Sequence, residues 1–160
     1  MEKTILLTGC AGFIGFNLAK KLLHNKKNKI IGIDNINDYY DINLKKNRLL
    51  ELEKSKNFIF KKIDLINYHD LEKIVKKYKI KTIFNLAAQA GVSYSIKSPK
   101  TYMHSNILGF FNILELSRIH KIKKISGFIL ILTGILIITG KLQILGFYLI
   151  EYFPILQKLG

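Results

Sequence analysis

Three glycines, each separated from the next by two residues, lie near the start of this chain in the stretch TGCAGFIG, Thr8–Gly15. They follow the apolar run Ile5-Leu6-Leu7 and precede a pattern typical of an amphipathic helix. A glycine-rich turn between a parallel strand and its helix lets the backbone approach a pyrophosphate, which the helix N-terminus attracts. In that geometry Gly9 permits a tight turn, Gly12 the close approach, and Gly15 close packing of helix against strand. The stretch therefore predicts a phosphate-binding strand-turn-helix unit.

The rest of residues 1–125 alternates short apolar runs with segments of helical periodicity. The predicted strands are Thr4–Leu7, Lys29–Ile33, Phe58–Ile63 and Lys81–Ala87, and the predicted helices are Phe13–Leu23, Asn43–Leu52, His69–Tyr78 and one from about Pro99 or Thr101 to about Ile119. Strands separated by helices of about 10 to 15 residues imply right-handed crossovers and a parallel sheet. The predicted fold class is α/β, a Rossmann-type doubly wound parallel sheet truncated after about four or five strands.

An acid ends the second predicted strand. Asp34 lies nineteen residues after Gly15, where a carboxylate accepts hydrogen bonds from the hydroxyls of an adenosine ribose. An acid there also repels a 2′-phosphate, so the pattern favours NAD over NADP. The spacing GxxGxxG has one more residue between its first two glycines than the usual dinucleotide fingerprint. The alternative is an ordinary strand-helix turn followed by a chance acid.

The charge of the chain gives little support to a nucleic-acid partner. The formal net charge is +15, but all except two of the basic residues are lysines. They are scattered as pairs between apolar positions, such as Lys20-Lys21 and Lys61-Lys62, instead of forming the clustered footprint that polyanions require. We therefore expect no nucleic-acid binding and attribute the charge to compositional bias.

The single cysteine, Cys10, excludes an internal disulfide, and the N-terminal residues do not resemble a signal peptide. We therefore expect a cytoplasmic location. Cys10 lies inside the glycine turn, where a helix N-terminus lowers a thiol pKa, but no paired base stands beside it in the sequence, and we interpret it as filler. The four histidines show no ligand spacing, so no metal site is predicted.

Five stretches occur in order along residues 1 to about 125: TGCAGFIG, GIDNINDYYDINLKKNRL, KIDL, NLAAQAGVSYS and SNILGFFNILE. In these residues the chain resembles the extended short-chain dehydrogenase/reductase family, within it the NAD-dependent epimerases and dehydratases, and most narrowly the UDP-glucuronate 4-epimerase type. The resemblance implies bound NAD and epimerisation of a nucleotide-sugar carbon, through oxidation to a ketone and return of the hydride to the other face. It also implies a role in polysaccharide synthesis, with a UDP-sugar bound only in a full-length relative.

The resemblance implies cofactor contacts along the whole matched region. Pyrophosphate contacts are expected from the turn, adenosine contacts from the ends of the second and third strands, and contacts to the rest of the cofactor from the end of the fourth strand and the following helix. The implied residues are Gly9, Gly12, Phe13, Ile14, Gly15, Asp34, Asn35, Asp64, Leu65, Leu86, Ala87, Ala88, Ala90 and Asn106. Two alternatives stay open: the alanines as helix-sheet packing residues, and Asp64 as a helix N-cap.

No catalytic residue is predicted. The family takes its general base from a Tyr-x-x-x-Lys pair, and none of the eight tyrosines has a lysine four residues later. We therefore expect the cofactor-binding part of an epimerase that is inactive alone, or a non-catalytic nucleotide-binding or membrane-tethered remnant. Ser93 also stands where close relatives usually carry arginine, which weakens the assignment of a uronate substrate.

The composition changes at Ser126, and residues 126–160 are predicted to be an apolar tail that does not match the family, after an incomplete NAD-binding domain at 1–125. Three interpretations stay open: the end of a disrupted gene, a replacement of the fifth strand by Phe128–Leu132, or membrane contact through 127–150. Membrane contact is the weakest interpretation, because Gly127–Gly140 offers fourteen uncharged residues and a span needs about 20. We expect no homodimer from a chain of this form.

Overall fold

The computed structural model describes residues 3–125 of the chain. Within them a five-stranded parallel sheet has the strand order β3-β2-β1-β4-β5. The strands are β1 Lys3–Thr8, β2 Asn28–Asp34, β3 Phe58–Lys62, β4 Thr82–Asn85 and β5 Lys123–Ile125. The helices are α1 Phe13–Leu23, α2 Ile42–Glu53, α3 Tyr68–Tyr78, α4 Val92–Lys97, α5 Pro99–Tyr102 and α6 Gly109–Ile119, with a π-helix over Met103–Leu108.

Two hydrophobic cores lie on the two faces of the sheet, because side chains alternate along each strand. On one face, Leu6 pairs in register with Ile31 and Ile83, and these residues pack against α3 and α6. On the other face, Leu7 and Ile30 pack against α1 and α2. Helices on both faces of a parallel sheet are the doubly wound arrangement, so the predicted fold class is confirmed.

The predicted elements agree with the observed ones except toward the end of the described residues. Helix α1 has the predicted bounds, and the other predicted strands and helices differ from the observed ones by at most two residues at each end, as far as Asn85. The predicted long helix from Pro99 is a continuous helical run with the π-helix inside it, and the short helix α4 before it was not predicted.

The fifth strand position is filled earlier in the chain than the sequence suggested. Residues Lys123–Ile125 pair with β4 in parallel, with Lys123 opposite Thr82, whereas one interpretation of the sequence places this strand at Phe128–Leu132. Those residues lie outside the described part. No helix within residues 3–125 has the length and apolarity that crossing a membrane requires, and the segment 127–150 is likewise not described.

Gly9 and Gly15 have the turn and packing roles that their spacing predicts, and the role predicted for Gly12 in ligand approach stays a prediction. Gly9 has a φ of +67°, and a Cβ placed on it would lie 2.8 Å from the backbone nitrogen of Ala87 at the end of β4. A Cβ on Gly15, in the first turn of α1, would overlap the carbonyl oxygen of Gly9. Gly12 has φ −70° and ψ 168° at the N-cap of α1, and a Cβ there would lie 3.2 Å from the Gly9 oxygen.

We expect Gly9→Ala to lower the free energy of unfolding by roughly 2–4 kcal/mol, because alanine is strained at positive φ and its methyl group meets fixed backbone. Gly12→Ala is the matched variant in the same turn, with negative φ and a looser contact, and its loss should be smaller. Urea unfolding followed by circular dichroism measures both. Equal losses in the two variants would contradict this account of Gly9.

Candidate functional site

A cleft with an empty volume of about 740 Å³ lies at the carboxyl ends of β1, β2, β3 and β4. The strand order reverses between β1 and β4, since β2 follows β1 on one side and β4 lies on the other. Ligands of open α/β sheets bind outside the carboxyl ends of the strands at such a reversal. The fold thus places the cleft where the loops after the strands diverge.

The N-terminus of α1 forms one wall of this cleft. Gly9 and Gly12 line it, and the first turn of the helix has neither a capping side chain nor an acidic residue. The N–H groups of a first turn have no acceptor within the helix, and they carry the positive end of the helix dipole. This wall is therefore suited to an anion such as a phosphate.

Asp34 is held at the end of β2 by backbone donors. The N–H of Ala11, in the glycine turn, donates to Oδ2 at 3.1 Å, and the N–H of Ile36 donates to Oδ1 at 2.9 Å. The side chain lines the cleft. A carboxylate has about four acceptor positions, so Asp34 keeps capacity for hydroxyl groups of a ligand.

Asn35 and Asp64 connect the ends of β2 and β3. Asn35 Nδ2 donates to Asp64 Oδ2 at 2.9 Å, and both residues line the cleft. The alternative role of Asp64 as a helix N-cap is wrong, because Asn67 is the N-cap of α3. Leu65 is fixed from the other side, since Asn112 on α6 donates to its carbonyl oxygen at 2.8 Å.

The loop after β4 is fastened to β1 by a buried hydroxyl group. Thr8 Oγ1 donates to Asn85 Oδ1 at 2.6 Å and accepts from the N–H groups of Leu86 and Ala87, each at 3.0 Å. Leu86, Ala87 and Ala88 line the cleft. Ala87 also packs against the hydrophobic core, so the packing role considered for the alanines holds for Ala87 alongside its place in the cleft wall.

The residues implied by the resemblance divide into two groups. Those that line the cleft are Gly9, Gly12, Asp34, Asn35, Asp64, Leu65, Leu86, Ala87 and Ala88. Those that do not line it are Phe13, Ile14, Gly15, Ala90 and Asn106. Phe13 and Ile14 are 71% and 68% exposed, and their backbone N–H groups belong to the first turn of α1. Gly15 is buried under the turn.

Asn106 lies in the π-helix and is occupied with the backbone of another residue. Its Oδ1 accepts from the Gln89 N–H at 2.7 Å, and its Nδ2 donates to the Gln89 carbonyl at 2.9 Å. Asn106 thus clamps the peptide groups of Gln89, and Gln89 lines the cleft. This arrangement was missed in the sequence, because nothing in the spacing pairs residues seventeen apart.

A buried lysine of the cleft, Lys45, is absent from the residues predicted from the sequence. Lys45 on α2 is 6% exposed, and its Nζ donates to the carbonyl oxygen and to Oδ1 of Asn37 at 2.7 and 2.6 Å. Burial lowers the pKa of Lys45, and the carboxylates of Asp34 and Asp38 offset part of that shift. A signal was available, since Lys45, Leu49 and Leu52 are the buried positions of α2 and follow helical spacing.

Aromatic side chains line the outer part of the cleft. Tyr39 and Tyr40 both line it, with ring centroids 4.6 Å apart in an edge-to-face arrangement, and Tyr94 packs on Tyr39 at 4.7 Å. Desolvation raises the pKa of the Tyr39 hydroxyl. These rings form an apolar wall that also carries hydroxyl groups.

Two other chemistries have no support in the described residues. Within residues 3–125 no group of three or more His, Cys, Asp or Glu side chains is arranged to hold a metal ion. Cys10 is fully buried, and burial raises the pKa of its thiol, which is the opposite of what a nucleophile requires. Both observations support the interpretation of Cys10 as filler, which stays a prediction.

Known proteins share this fold and these motifs. A protein named CapI from Staphylococcus aureus is 52% identical over 121 residues, covering 76% of this chain and 36% of that protein. A UDP-glucuronate 4-epimerase from Thermodesulfobacterium geofontis is 46% identical over 120 residues, with 75% and 37% coverage. The crystal structure of UDP-glucuronic acid 4-epimerase from Bacillus cereus, in complex with UDP-glucuronic acid and NAD, superposes with a TM-score of 0.68 at 34% identity.

The structural match covers 76% of this chain and 37% of the Bacillus cereus chain, so the chain spans little more than a third of the length of these relatives. The family model described as GDP-mannose 4,6 dehydratase matches residues 6–133, which begins in β1 and continues beyond β5. Because the match takes in most of the sequence and every described strand, the chain belongs to this family of NAD-dependent epimerases and dehydratases and corresponds to its N-terminal part.

Proposed function

We propose that this chain binds NAD in the cleft, as the cofactor-binding part of a nucleotide-sugar epimerase of the UDP-glucuronate 4-epimerase type. The observation that carries the proposal is the Asp34 carboxylate, fixed by the N–H of Ala11 within the glycine turn. This bond sets a ribose acceptor and an anion-binding helix end at a defined distance from each other, as an adenine dinucleotide requires. The NAD-bound Bacillus cereus relative supports the same assignment.

The residues present fit this cofactor. Residues with little or no side chain line the cleft on both sides, Gly9 and Gly12 in the turn and Ala87 and Ala88 after β4, so the backbone is open to close approach by a ligand. In this proposal the backbone of residues 12–15 holds the pyrophosphate and Asp34 accepts from the adenosine ribose. Asn35, Asp64 and Leu65 hold the adenine, with the Asp64 carboxylate accepting from its exocyclic amine.

The remaining contacts are proposed with the roles that the geometry favours. Leu86, Ala87 and Ala88 line the part of the cleft beyond β4 that the cofactor occupies in this proposal. Ala90 and Asn106 act indirectly, since neither lines the cleft, and Asn106 does so through its two hydrogen bonds to the backbone of Gln89. Phe13 and Ile14 contribute backbone N–H groups, since their side chains are exposed. The first 125 residues are then the cofactor-binding domain, and 126–160 a separate segment.

The chemistry of the family needs more than this cleft. When bound, NAD accepts a hydride from a sugar carbon and returns it. The proton of the sugar hydroxyl needs a general base, and no tyrosine in the 160 residues is followed by a lysine at the fourth position. We therefore assign this chain cofactor binding without turnover, and we assign the UDP-sugar, a uronate or a close relative, to the full-length protein. The single cysteine is consistent with a cytoplasmic site of action.

The NAD assignment predicts that the purified chain binds NAD more tightly than NADP. Asp34→Asn keeps the shape of the side chain but removes its charge, so NAD affinity should fall roughly 10- to 100-fold, since hydrogen bonds to a charged acceptor contribute about 1.5–3 kcal/mol. Discrimination against NADP should weaken as well. Isothermal titration calorimetry measures each constant.

Asp70→Asn is the matched control, because Asp70 is an exposed carboxylate on α3 that does not line the cleft. It should bind NAD as the unsubstituted chain does. Unchanged NAD affinity in Asp34→Asn, or no binding of NAD at all by the unsubstituted chain, would contradict the proposal.

The absence of a catalytic pair predicts no interconversion of UDP-glucuronate and UDP-galacturonate by the purified chain, even with saturating NAD. Chromatographic separation of the two sugar nucleotides after prolonged incubation is a sufficient assay. Product formation above a heat-treated sample would show that a base outside the Tyr-x-x-x-Lys pattern acts here.

A further inference from the structure

Gln89 is a buried amide that lies between two loops of the cleft. It is 6% exposed, it lines the cleft, and both of its peptide groups are clamped by Asn106. Its side-chain Oε1 accepts from Asn37 Nδ2 at 3.4 Å. Its Nε2 has no hydrogen-bond partner among the described residues. A buried donor left without an acceptor is costly, so the Gln89 amide requires an explanation.

The orientation of the Gln89 amide follows from a chain of donors. Lys45 can only donate, and its Nζ donates to Asn37 Oδ1 at 2.6 Å. The oxygen of the Asn37 amide is therefore taken, and its NH₂ group faces Gln89. Gln89 must in turn present its oxygen to Asn37, because the opposite orientation would set two NH₂ groups against each other. The buried ammonium thus fixes the direction of both amides and leaves Gln89 Nε2 as the free donor.

The place of Gln89 in the fold indicates which part of a bound ligand lies nearest to its side-chain amide. Gln89 follows β4 and Asn37 follows β2, and β1 lies between those two strands in the sheet. The contact between the two side chains therefore spans the carboxyl end of β1, where the glycine turn begins. In the proposed binding mode this is the place of the pyrophosphate, whose oxygens are strong acceptors.

We propose that Gln89 donates a hydrogen bond from its side-chain amide to the pyrophosphate of the bound dinucleotide, and that Asn37 and Lys45 are positioning residues which fix its orientation. This inference rests on the proposed function, because it presupposes a dinucleotide in the cleft. It adds a contact from the β4 side of the cleft to those that the glycine turn makes from the α1 side. The cofactor is then held between a helix end and a buried amide.

The test compares ligands with and without a pyrophosphate. Gln89→Leu should lower the affinity for NAD and for ADP-ribose about tenfold, the value of one hydrogen bond of ordinary strength, and leave adenosine binding unchanged. Gln89→Glu should lower the first two further, because it sets a carboxylate against an anion, and should also leave adenosine unchanged. Calorimetry provides the constants, and Asn47→Leu, an exposed amide on α2 outside the cleft, is the matched control.

A measurement on the unsubstituted chain avoids any effect on folding. In ¹⁵N-labelled protein, the side-chain NH₂ signals of Gln89 should shift on addition of ADP-ribose and not on addition of adenosine. Equal loss of affinity for all three ligands in Gln89→Leu, or NH₂ signals that do not respond to ADP-ribose, would overturn the proposal. Failure of the unsubstituted chain to bind NAD would overturn the proposed function and this inference together, whereas normal NAD binding by Gln89→Leu would overturn only the inference.

The positioning role of Lys45 predicts a coupled effect. Lys45→Met removes the donor that orients Asn37, so its NAD affinity should fall in the same direction as that of Gln89→Leu. The double variant should bind NAD no more weakly than Gln89→Leu alone, since Lys45 acts through Gln89, whereas independent effects would add. Full additivity of the two losses would show that Lys45 contacts the ligand separately.

Discussion

The approach of the Gly9 backbone to the end of β4 is the contact on which the rest of the site depends. A glycine with positive φ lets the chain leave β1 and turn toward α1 while lying against the peptide of Ala87. Gly15 lets α1 pack directly on the turn, which places the N-terminus of the helix at the carboxyl ends of the strands. Because these are backbone contacts, they tolerate little adjustment, and they fix the position of the N-terminus of α1.

The adenosine side of the cleft is built on the same turn. Ala11 lies in the turn after β1, outside the hydrogen bonds between strands, so its N–H donates to Asp34. Arg48 on α2 donates to the carbonyl oxygen of Ala11 at 3.1 Å, so the peptide groups on both sides of this residue are held by side chains. The acid and the helix end therefore form one rigid unit. The two features that a dinucleotide needs at fixed separation are joined by a few hydrogen bonds within the glycine turn.

The sequence predicts the parts of this site whose signals are local. The glycine spacing, the acid at Asp34 and the 3.6-residue periodicity of α1 each follow from contacts within a short stretch. The sequence did not predict the π-helix that presents Asn106, because π-helices are rare and occur as single turns inside α-helices, which is too short a stretch to show a period of its own. The Thr8 hydroxyl is a similar case, since its partners lie 77 to 79 residues away.

The abundance of lysine in this chain makes the buried Lys45 difficult to recognise in the sequence. Nearly all basic residues of the chain are lysines, so one lysine on the apolar face of a helix does not stand out from the others. Its burial has meaning only when the partner is known, because an ammonium without acceptors in the interior would lose its proton or unfold its surroundings. Asn37 supplies two acceptors at hydrogen-bond distance, and these compensate the burial of the Lys45 amine at the edge of the cleft.

The strand order explains why the described residues already form a cleft in a chain that spans about a third of its relatives' length. The reversal that opens the cleft needs only β2, β1 and β4, and these strands end by Asn85. The loops that line it, together with the helical run that clamps Gln89, are complete before β5. Within residues 3–125, the cleft therefore depends on the first four strands and the loops after them, and β5 lies at the edge of the described sheet.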